Sequence, residues 1–305
     1  MKNMKTVAGM LCLAGILSLG MGTTVFAEDG DSHYPVTITT YNYENEPVEM
    51  TFEKAPEKVF AYANSNIEEL LALGLGDKIV AACGLDGDVR EDLKDEFDKI
   101  QYMDTKPSKE EVVAMEPDFI AAWYSSFSDD WLSDVSFWQE RDVNTYMSLN
   151  SAAKGPASEF PRTIEDEYED ILNLGKIFDC EDKAEEIVDQ MKGEIDKVKE
   201  HVEGTDPLSV AVLEDEGDSF RVYGTETLGG NIPETLGAEL KLGAENSENV
   251  GAEDLIAADP DVLFMINYDG FMTADEAIAD ITDNPAYASL SAVKNNKVFS
   301  VNLNE

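Results

Sequence analysis

One segment of this chain occurs twice. Glu110-Glu111-Val112-Val113-Ala114-Met115-Glu116-Pro117-Asp118-Phe119-Ile120 is echoed by Glu253-Asp254-Leu255-Ile256-Ala257-Ala258-Asp259-Pro260-Asp261-Val262-Leu263. Each copy reads as a short helix opened by an acidic pair, halted ahead of Pro-Asp and followed by an apolar strand. Proline cannot continue a helix, and it biases the residue before it away from helical backbone. The strands predicted after the two helices are Phe119 to Tyr124 and Val262 to Ile266. Two copies in register call for two similarly built lobes, each a helix-and-strand unit around a parallel sheet.

The rest of the chain fits that plan. Val36 to Thr40 and Val48 to Phe52 alternate apolar and polar like a hairpin. A strand over Val59 to Ala63 leads through Asn64-Ser65-Asn66 into a helix from Ile67 to Leu73. Ser65 with Glu68 forms its capping box and Gly74 its stop. Ile79 to Cys83 is the next strand, completing a βαβ unit. Between the two copies, Thr163 to Val202 is helical, with an N-cap signal at Thr163 and Asp166, a first closure at Leu174-Gly175-Lys176 and a second start at Asp182 with Glu185. Ala184, Ile187, Met191, Ile195, Val198 and Val202 then recur at helical spacing. A helix of about 20 residues spans about 30 Å, the width of a small domain. It is expected to be one stiff connector between lobes; assignment of both helices to the first lobe is the alternative. The expected organisation is a signal peptide over 1–27, a tail and hairpin over 28–55, an N-terminal lobe over 56–162, connecting helices over 163–202 and a C-terminal lobe over 203–305.

Charge narrows the function. The 305 residues carry 22 Lys+Arg against 64 Asp+Glu, a net charge of −42. Nucleic acid is excluded as a partner, since phosphate contacts need clustered Lys and Arg. Charge-driven docking on anionic lipid is excluded likewise. With 43% hydrophobic and 9% aromatic residues the chain can build cores, so the acidity is solvated surface rather than a mark of disorder. Asp86-Gly87-Asp88 begins like a calcium loop, but Glu91 stands where that loop requires glycine. Lys2 and Lys5, the apolar run Val7 to Met21 and Val25-Phe26-Ala27 form a secretory signal peptide, with cleavage expected after Ala27. The run is about 15 residues, short of a membrane span. Cys12 sits inside it behind Leu11, where lipoproteins carry a small residue, which argues against a lipid anchor. Cys83 and Cys180 remain, too few for a disulfide scaffold, and are expected as buried free thiols.

Enzyme signatures are missing: the sequence holds no G-x-S-x-G, no H-E-x-x-H and no Walker loop. Its two histidines, His33 and His201, cannot by themselves build a metal shell, so no catalytic or metal residue is assigned. What remains is a cleft. In parallel α/β sheets ligands bind beyond the carboxyl ends of the strands. Those ends carry Tyr62, Asn64 and Ser65, then Trp123, Tyr124 and Ser125, and in the second lobe Asn267 and Tyr268. Arg221 and Tyr223 follow the strand Leu208 to Leu213 by way of an acidic turn. Aromatics at matching strand ends point to an aromatic-lined cleft, and an Arg beside it suits carboxylate or catecholate oxygens.

At these residues the chain resembles the solute-binding proteins of ABC importers for iron–siderophore complexes, haem and vitamin B12. The matching segments include Lys54-Ala55-Pro56-Glu57-Lys58-Val59, Glu68 to Gly74, Ser108 to Ile120, Leu174-Gly175-Lys176, Gly251 to Leu263, Asn284-Pro285-Ala286-Tyr287 and Lys297-Val298-Phe299. The resemblance implies an α/β fold of two Rossmann-like lobes with parallel sheets, a long rigid helix joining them and a ligand cleft between. It implies capture of a ferric siderophore or similar chelate by a monomer, with no cofactor and no catalysis, and delivery to an ABC permease and its ATPase. Glu110 and Glu253 fall where such proteins carry one permease-docking Glu per lobe; Glu111 and Asp254 are neighbours able to share that role. Haem or cobalamin capture is the alternative, and a secreted enzyme using cleft carboxylates a more distant one. The chain stops at Glu305 just after the strand Val298 to Val301, where the family continues into a helix, so the second lobe is expected to be cut short. The acidity exceeds what the family leads one to expect and points to an unusual habitat or a cationic ligand.

Overall fold

The computed structural model describes residues 33–151, 162–243, 249–268 and 272–303. The expected signal peptide lies outside the described residues. The hairpin pairs β1 (Val36–Tyr41) with β2 (Pro47–Phe52), Val36 opposite Phe52. Its inward residues Ile38, Met50 and Phe52 are buried in the core of the first lobe. That lobe holds a five-stranded parallel sheet of β3 (Val59–Tyr62), β4 (Ile79–Cys83), β5 (Tyr102–Met103), β6 (Phe119–Ala122) and β7 (Asn144–Met147), in the order β5-β4-β3-β6-β7. β3 and β6 are apolar runs rather than alternating ones because helices cover both faces. α1 (Asn64–Ala72) lies on one face; α2 (Lys94–Phe97), α3 (Lys109–Ala114) and α4 (Val135–Gln139) follow in the connections.

Two long helices come next, α5 (Ile164–Phe178) and α6 (Glu181–Val202). The second lobe is built on β8 (Ser209–Asp215), β9 (Phe220–Val222), β10 (Glu239–Leu240), β11 (Val262–Asn267) and β12 (Val298–Asn302). The parallel order is β10-β8-β11-β12, and β9 folds back antiparallel on the end of β8, Leu213 opposite Val222. Its helices are α7 (Leu228–Thr235), α8 (Ala252–Ala258), α9 (Ala274–Thr282) and α10 (Ser291–Lys294).

The repeated segment turns out to be a repeated construction. α3 and α8 are the two helices, and β6 and β11 the strands that follow. The residue before each proline, Glu116 (φ 51°) or Asp259 (φ 40°), takes left-handed backbone, which ends the helix and turns the chain into the strand. The aspartate after each proline then ties down the start of the neighbouring central strand. Asp118 accepts from the Lys58 amide at 2.8 Å, just before β3, and Asp261 accepts from the Ser209 amide at 3.0 Å, at the start of β8. Pro-Asp is therefore a stop followed by a strand clamp, used once per sheet.

Several predicted boundaries move. α1 begins at Asn64, straight after Ala63 at φ 76°, so Ser65 lies in the first turn and caps nothing. Its hydroxyl accepts from Trp123 Nε1 at 3.1 Å, and Glu68 accepts the Arg90 amide at 3.0 Å. The predicted capping box is thus spent on tertiary contacts. Gly175 does not close α5, which runs on to Phe178 and ends at left-handed Asp179. It is glycine because α6 crosses there: a Cβ at Gly175 would sit 2.5 Å from the Ala184 Cβ. α6 starts at Glu181 without a side-chain cap, whereas Thr163 and Asp166 do cap α5 reciprocally. β6 stops at Ala122, ahead of the predicted Tyr124.

The two helices pack differently. α5 packs into the first lobe through Tyr168, Ile171, Leu174 and Ile177, while its Ile164 amide donates to Asn231 Oδ1 of α7 at 3.0 Å. α6 buries only Ala184 and Val188, and its far half, with Val198 42% exposed, runs out to β8 as the connector. Cys83 is buried, Cys180 is partly buried, and both are free thiols.

Candidate functional site

Both parallel sheets point their carboxyl ends at the same region, and the chain concentrates aromatic and cationic side chains there. Trp123 and Tyr124 follow β6 directly, where the backbone leaves the sheet for a 3₁₀ turn over Tyr124–Phe127. Trp123 is fixed by its hydrogen bond to Ser65, so two residues singled out from the sequence meet. The Tyr124 ring stacks on Tyr43 with centroids 5.8 Å apart and planes 3° from parallel. Tyr43 comes from the β1–β2 turn and carries no signal in sequence, since only the folding of the hairpin over the lobe brings it in.

Tyr62 ends β3 and packs edge-on against Trp131 at 4.7 Å. The Lys106 ammonium lies 3.6 Å over the Trp131 ring and 5.5 Å from the Tyr62 ring, a cation–π placement that holds one positive charge at the sheet end. Burial pushes its pKa down. Gly84 makes room for the tyrosine: a Cβ there would stand 2.2 Å from Tyr62 Cε2, and its φ is +83°. Asn64 takes a different role from the one expected at a strand end. It is buried, and its side-chain oxygen accepts the Asp86 amide at 2.8 Å, holding the turn after β4.

In the second lobe, Tyr223 donates to Glu214 at 2.8 Å, and burial followed by that bond raises its pKa. Arg221 lies on β9 rather than after a plain turn. Its Nη1 is 3.6 Å from Glu214 and its guanidinium 5.3 Å from the Tyr223 ring. Tyr268 follows β11, and Asn267 is buried with its side chain accepting from Ser300 at 2.6 Å.

Arg162 is the residue the sequence reading missed. It precedes α5, and its amide donates to the Glu226 carbonyl of the second lobe at 3.1 Å. Its guanidinium is partly buried with no carboxylate in ion-pair range among the described residues. Burial lowers its pKa and Arg221 of the second lobe adds to that, while Tyr124 of the first lobe and the Glu226 carboxylate oppose it. Two guanidiniums thus influence one another where the lobes meet, and the carboxylate that acts on Arg162, Glu226, does so from outside ion-pair range.

A groove of about 870 Å³ runs elsewhere, between α1 and α6, lined by Ser65, Glu69, Arg90, Glu167, Lys183 and Lys197 among others. Its charges are mixed and, apart from Ser65, it holds none of the strand-end set.

The acids expected to dock a permease are arranged alike in both lobes. Glu110 and Glu253 each occupy the second position of their helix and are exposed. The third position is already engaged: Glu111 accepts the Ser108 amide at 2.7 Å, and Asp254 the Gly251 amide at 2.9 Å. The neighbours that sequence left as candidates therefore serve as caps, and one outward carboxylate per lobe remains.

Residues 59–302 match the protein family described as "Periplasmic binding protein". A solved periplasmic binding protein from Veillonella parvula superposes with a TM-score of 0.81 at 32% identity, over 88% of this chain and 84% of that one. An ABC transporter substrate-binding lipoprotein of Bacillus subtilis, YvrC, is 24% identical over 99% of this chain and 90% of its own length. The petrobactin-binding protein YclQ of the same organism is 24% identical over 81% of this chain and 74% of its own.

Proposed function

Because this chain belongs to the periplasmic binding protein family, we propose that it captures an anionic ferric chelate outside the cytoplasm and delivers it to an ABC permease. The observation that carries this reading is Arg162, a partly buried guanidinium with no carboxylate in ion-pair range among the described residues, set against Arg221 and Tyr124 with Glu226 farther off. Two like charges between lobes repel until an anion joins them, so an anionic ligand draws the lobes together while a neutral one does not. Lys106 over Trp131 adds a third positive charge, and Tyr43, Tyr62, Trp123 and Tyr124 supply flat surfaces for aromatic chelator arms. The names of relatives support the class: one binds petrobactin and another, 25% identical over 64% of this chain, binds Fe(3+)-citrate. Glu110 and Glu253 are read as the permease contacts, one per lobe. The expected signal peptide supports export of the mature chain; the YvrC relative is named a lipoprotein, and anchoring here is open to measurement by mass spectrometry of the mature N-terminus.

The test is a panel of ferric citrate, a ferric catecholate, a ferric hydroxamate, haem and cobalamin, read by Trp quenching and melting temperature. Ferric citrate or the catecholate should bind, and Arg162→Ala should weaken that binding about ten- to a hundredfold, the worth of a charge-assisted hydrogen bond. Binding of cobalamin alone would overturn the chelate reading, as would an unchanged affinity in Arg162→Ala.

A further inference from the structure

His33 is the first described residue, and its imidazole is held at the corner between α5 and α6. Nε2 lies 2.7 Å from the Lys176 carbonyl. Beside it the Tyr34 hydroxyl donates to the Ile177 carbonyl at 2.8 Å. Both acceptors belong to the last turn of α5, whose carbonyls have no partner within the helix, so two side chains from the other end of the chain cap it. A carbonyl only accepts, and Nε2 therefore carries the hydrogen. The other nitrogen, Nδ1, faces Glu181 Oε1 at 3.1 Å and Asp179 Oδ1 at 3.3 Å. A bare lone pair pointed at two carboxylates is repulsive, and the position calls for a positive occupant.

We propose that this occupant is a borderline divalent transition ion of the Zn²⁺ class, bound by His33 Nδ1, Asp179 and Glu181. The three ligand atoms lie within 4.8 Å of one another. Around a tetrahedral ion with bonds of about 2.0–2.2 Å, neighbouring ligand atoms stand about 3.3 Å apart, close to the two spacings found here. An imidazole whose second nitrogen donates to a backbone carbonyl is the arrangement metal-binding histidines adopt, since that bond fixes tautomer and ring orientation. One nitrogen with two carboxylate oxygens selects Zn²⁺ or Co²⁺ over Mg²⁺ and Ca²⁺, which take oxygen cages. The His33 side chain is 20% exposed, Asp179 58% and Glu181 38%, so an ion enters from solvent and completes its shell with water. The ion fastens the segment entering β1 to the α5–α6 corner, away from the strand ends proposed for the chelate. The site is independent of the chelate reading.

The rival occupant is a proton, making His33 an imidazolium shared by the two carboxylates, and the experiment separates them. Metal-free full-length protein is titrated with Zn²⁺ by calorimetry in millimolar Ca²⁺, which masks weak carboxylate sites, alongside His33→Ala and the double variant Asp179→Asn/Glu181→Gln. One site should fill in the unaltered chain, and both variants should lose it by more than the roughly 10–100-fold that removing an outer-shell partner costs. Zn²⁺ should raise the melting temperature of the unaltered chain only, and Co²⁺ should give d–d absorption that His33→Ala lacks. Ferric chelate binding should be the same in all three. Equal Zn²⁺ isotherms for the unaltered chain and His33→Ala, or imidazole resonances of His33 unmoved by stoichiometric Zn²⁺, overturn the proposal and leave the proton in place.

Discussion

Glu69 to Gln should make the protein more stable at pH 8 and leave it almost unchanged near pH 4.5. Glu69 on α1 faces Glu167 and Asp170 on α5, and none of the three pairs with Lys or Arg among the described residues. Asp170, 1% exposed, has its charge partly met by the Tyr146 hydroxyl at 2.6 Å and the Leu149 amide at 3.0 Å. Glu167 accepts from Asn150 at 2.7 Å, whereas Glu69 Oε2 is buried with no hydrogen bond. Burial first, and then the neighbouring carboxylates, raise the pKa of Glu69 well above its ordinary 4.5. The folded state therefore holds a proton that the unfolded state releases. Between the unfolded and folded pKa values the native state binds more protons, and stability falls as pH rises, by at most about 1.4 kcal/mol per pH unit for one group. Gln removes that dependence while keeping shape. In a chain charged to −42 every variant weakens with rising pH through self-repulsion, so the useful quantity is the difference between Glu69→Gln and the unaltered protein, in which the common field largely cancels. That difference should grow from near zero at pH 4.5 by a few degrees of melting temperature per pH unit, at about 2–4 °C per kcal/mol. A difference that stays flat from pH 4.5 to 8 would show that Glu69 titrates as an ordinary surface carboxylate and refute the argument.

Glu110→Ala or Glu253→Ala should each weaken permease docking about tenfold or more while chelate affinity holds, as measured by complex formation and uptake; normal uptake by the double variant removes the docking role. Gly84→Ala, whose Cβ would press into Tyr62 from a φ of +83°, should shift the tyrosine ring and lower chelate affinity with a modest fall in melting temperature, checked by paired titration and scanning. Gly230→Ala should cost more in stability, about 1–3 kcal/mol or above, because its Cβ would stand 2.0 Å from the Gly224 carbonyl oxygen, where backbone has to move; denaturant titration with an unchanged midpoint contradicts that contact.

Much of this architecture was legible because periodicity and punctuation carry it. The hairpin, β3, β4 and the doubled helix–strand unit appear near their predicted places because alternation, apolar runs and Pro-Asp act locally. What failed was also local in form but not in cause. Ser65 with Glu68 has the spelling of a capping box, yet left-handed Ala63 starts α1 earlier and frees both side chains for Trp123 and the Arg90 amide. Gly175 has the spelling of a helix stop, yet it marks where α6 crosses α5. At the candidate site the strand-end aromatics were readable from the topology of parallel sheets. Tyr43, Lys106 and Arg162 were not, since each arrives from a turn or linker whose destination depends on how separate elements pack.

Arg162 also shows why composition misleads about a ligand. Net charge sums the surface, where Lys and Arg find carboxylates easily: Arg90 pairs with Asp92 at 2.6 Å, Lys78 with Glu57 at 3.1 Å and Lys241 with Glu239 at 2.9 Å. Such exposed pairs contribute little, about 0–1 kcal/mol each, and say nothing about function. Arg162 differs in place rather than in number: it is partly buried between Tyr124 and Arg221, with no carboxylate in ion-pair range among the described residues. Its partial burial, which lowers its pKa, is a cost to the charged form that an incoming anion relieves. The net charge is −42, so an anionic chelate is expected to meet repulsion at a distance and attraction at the strand ends. Raising salt should therefore speed association by screening the overall repulsion, the reverse of electrostatic steering. Stopped-flow Trp quenching with ferric citrate reads this directly: an association rate that falls as salt rises would mean that the positive strand ends, and not the acidic surface, govern approach.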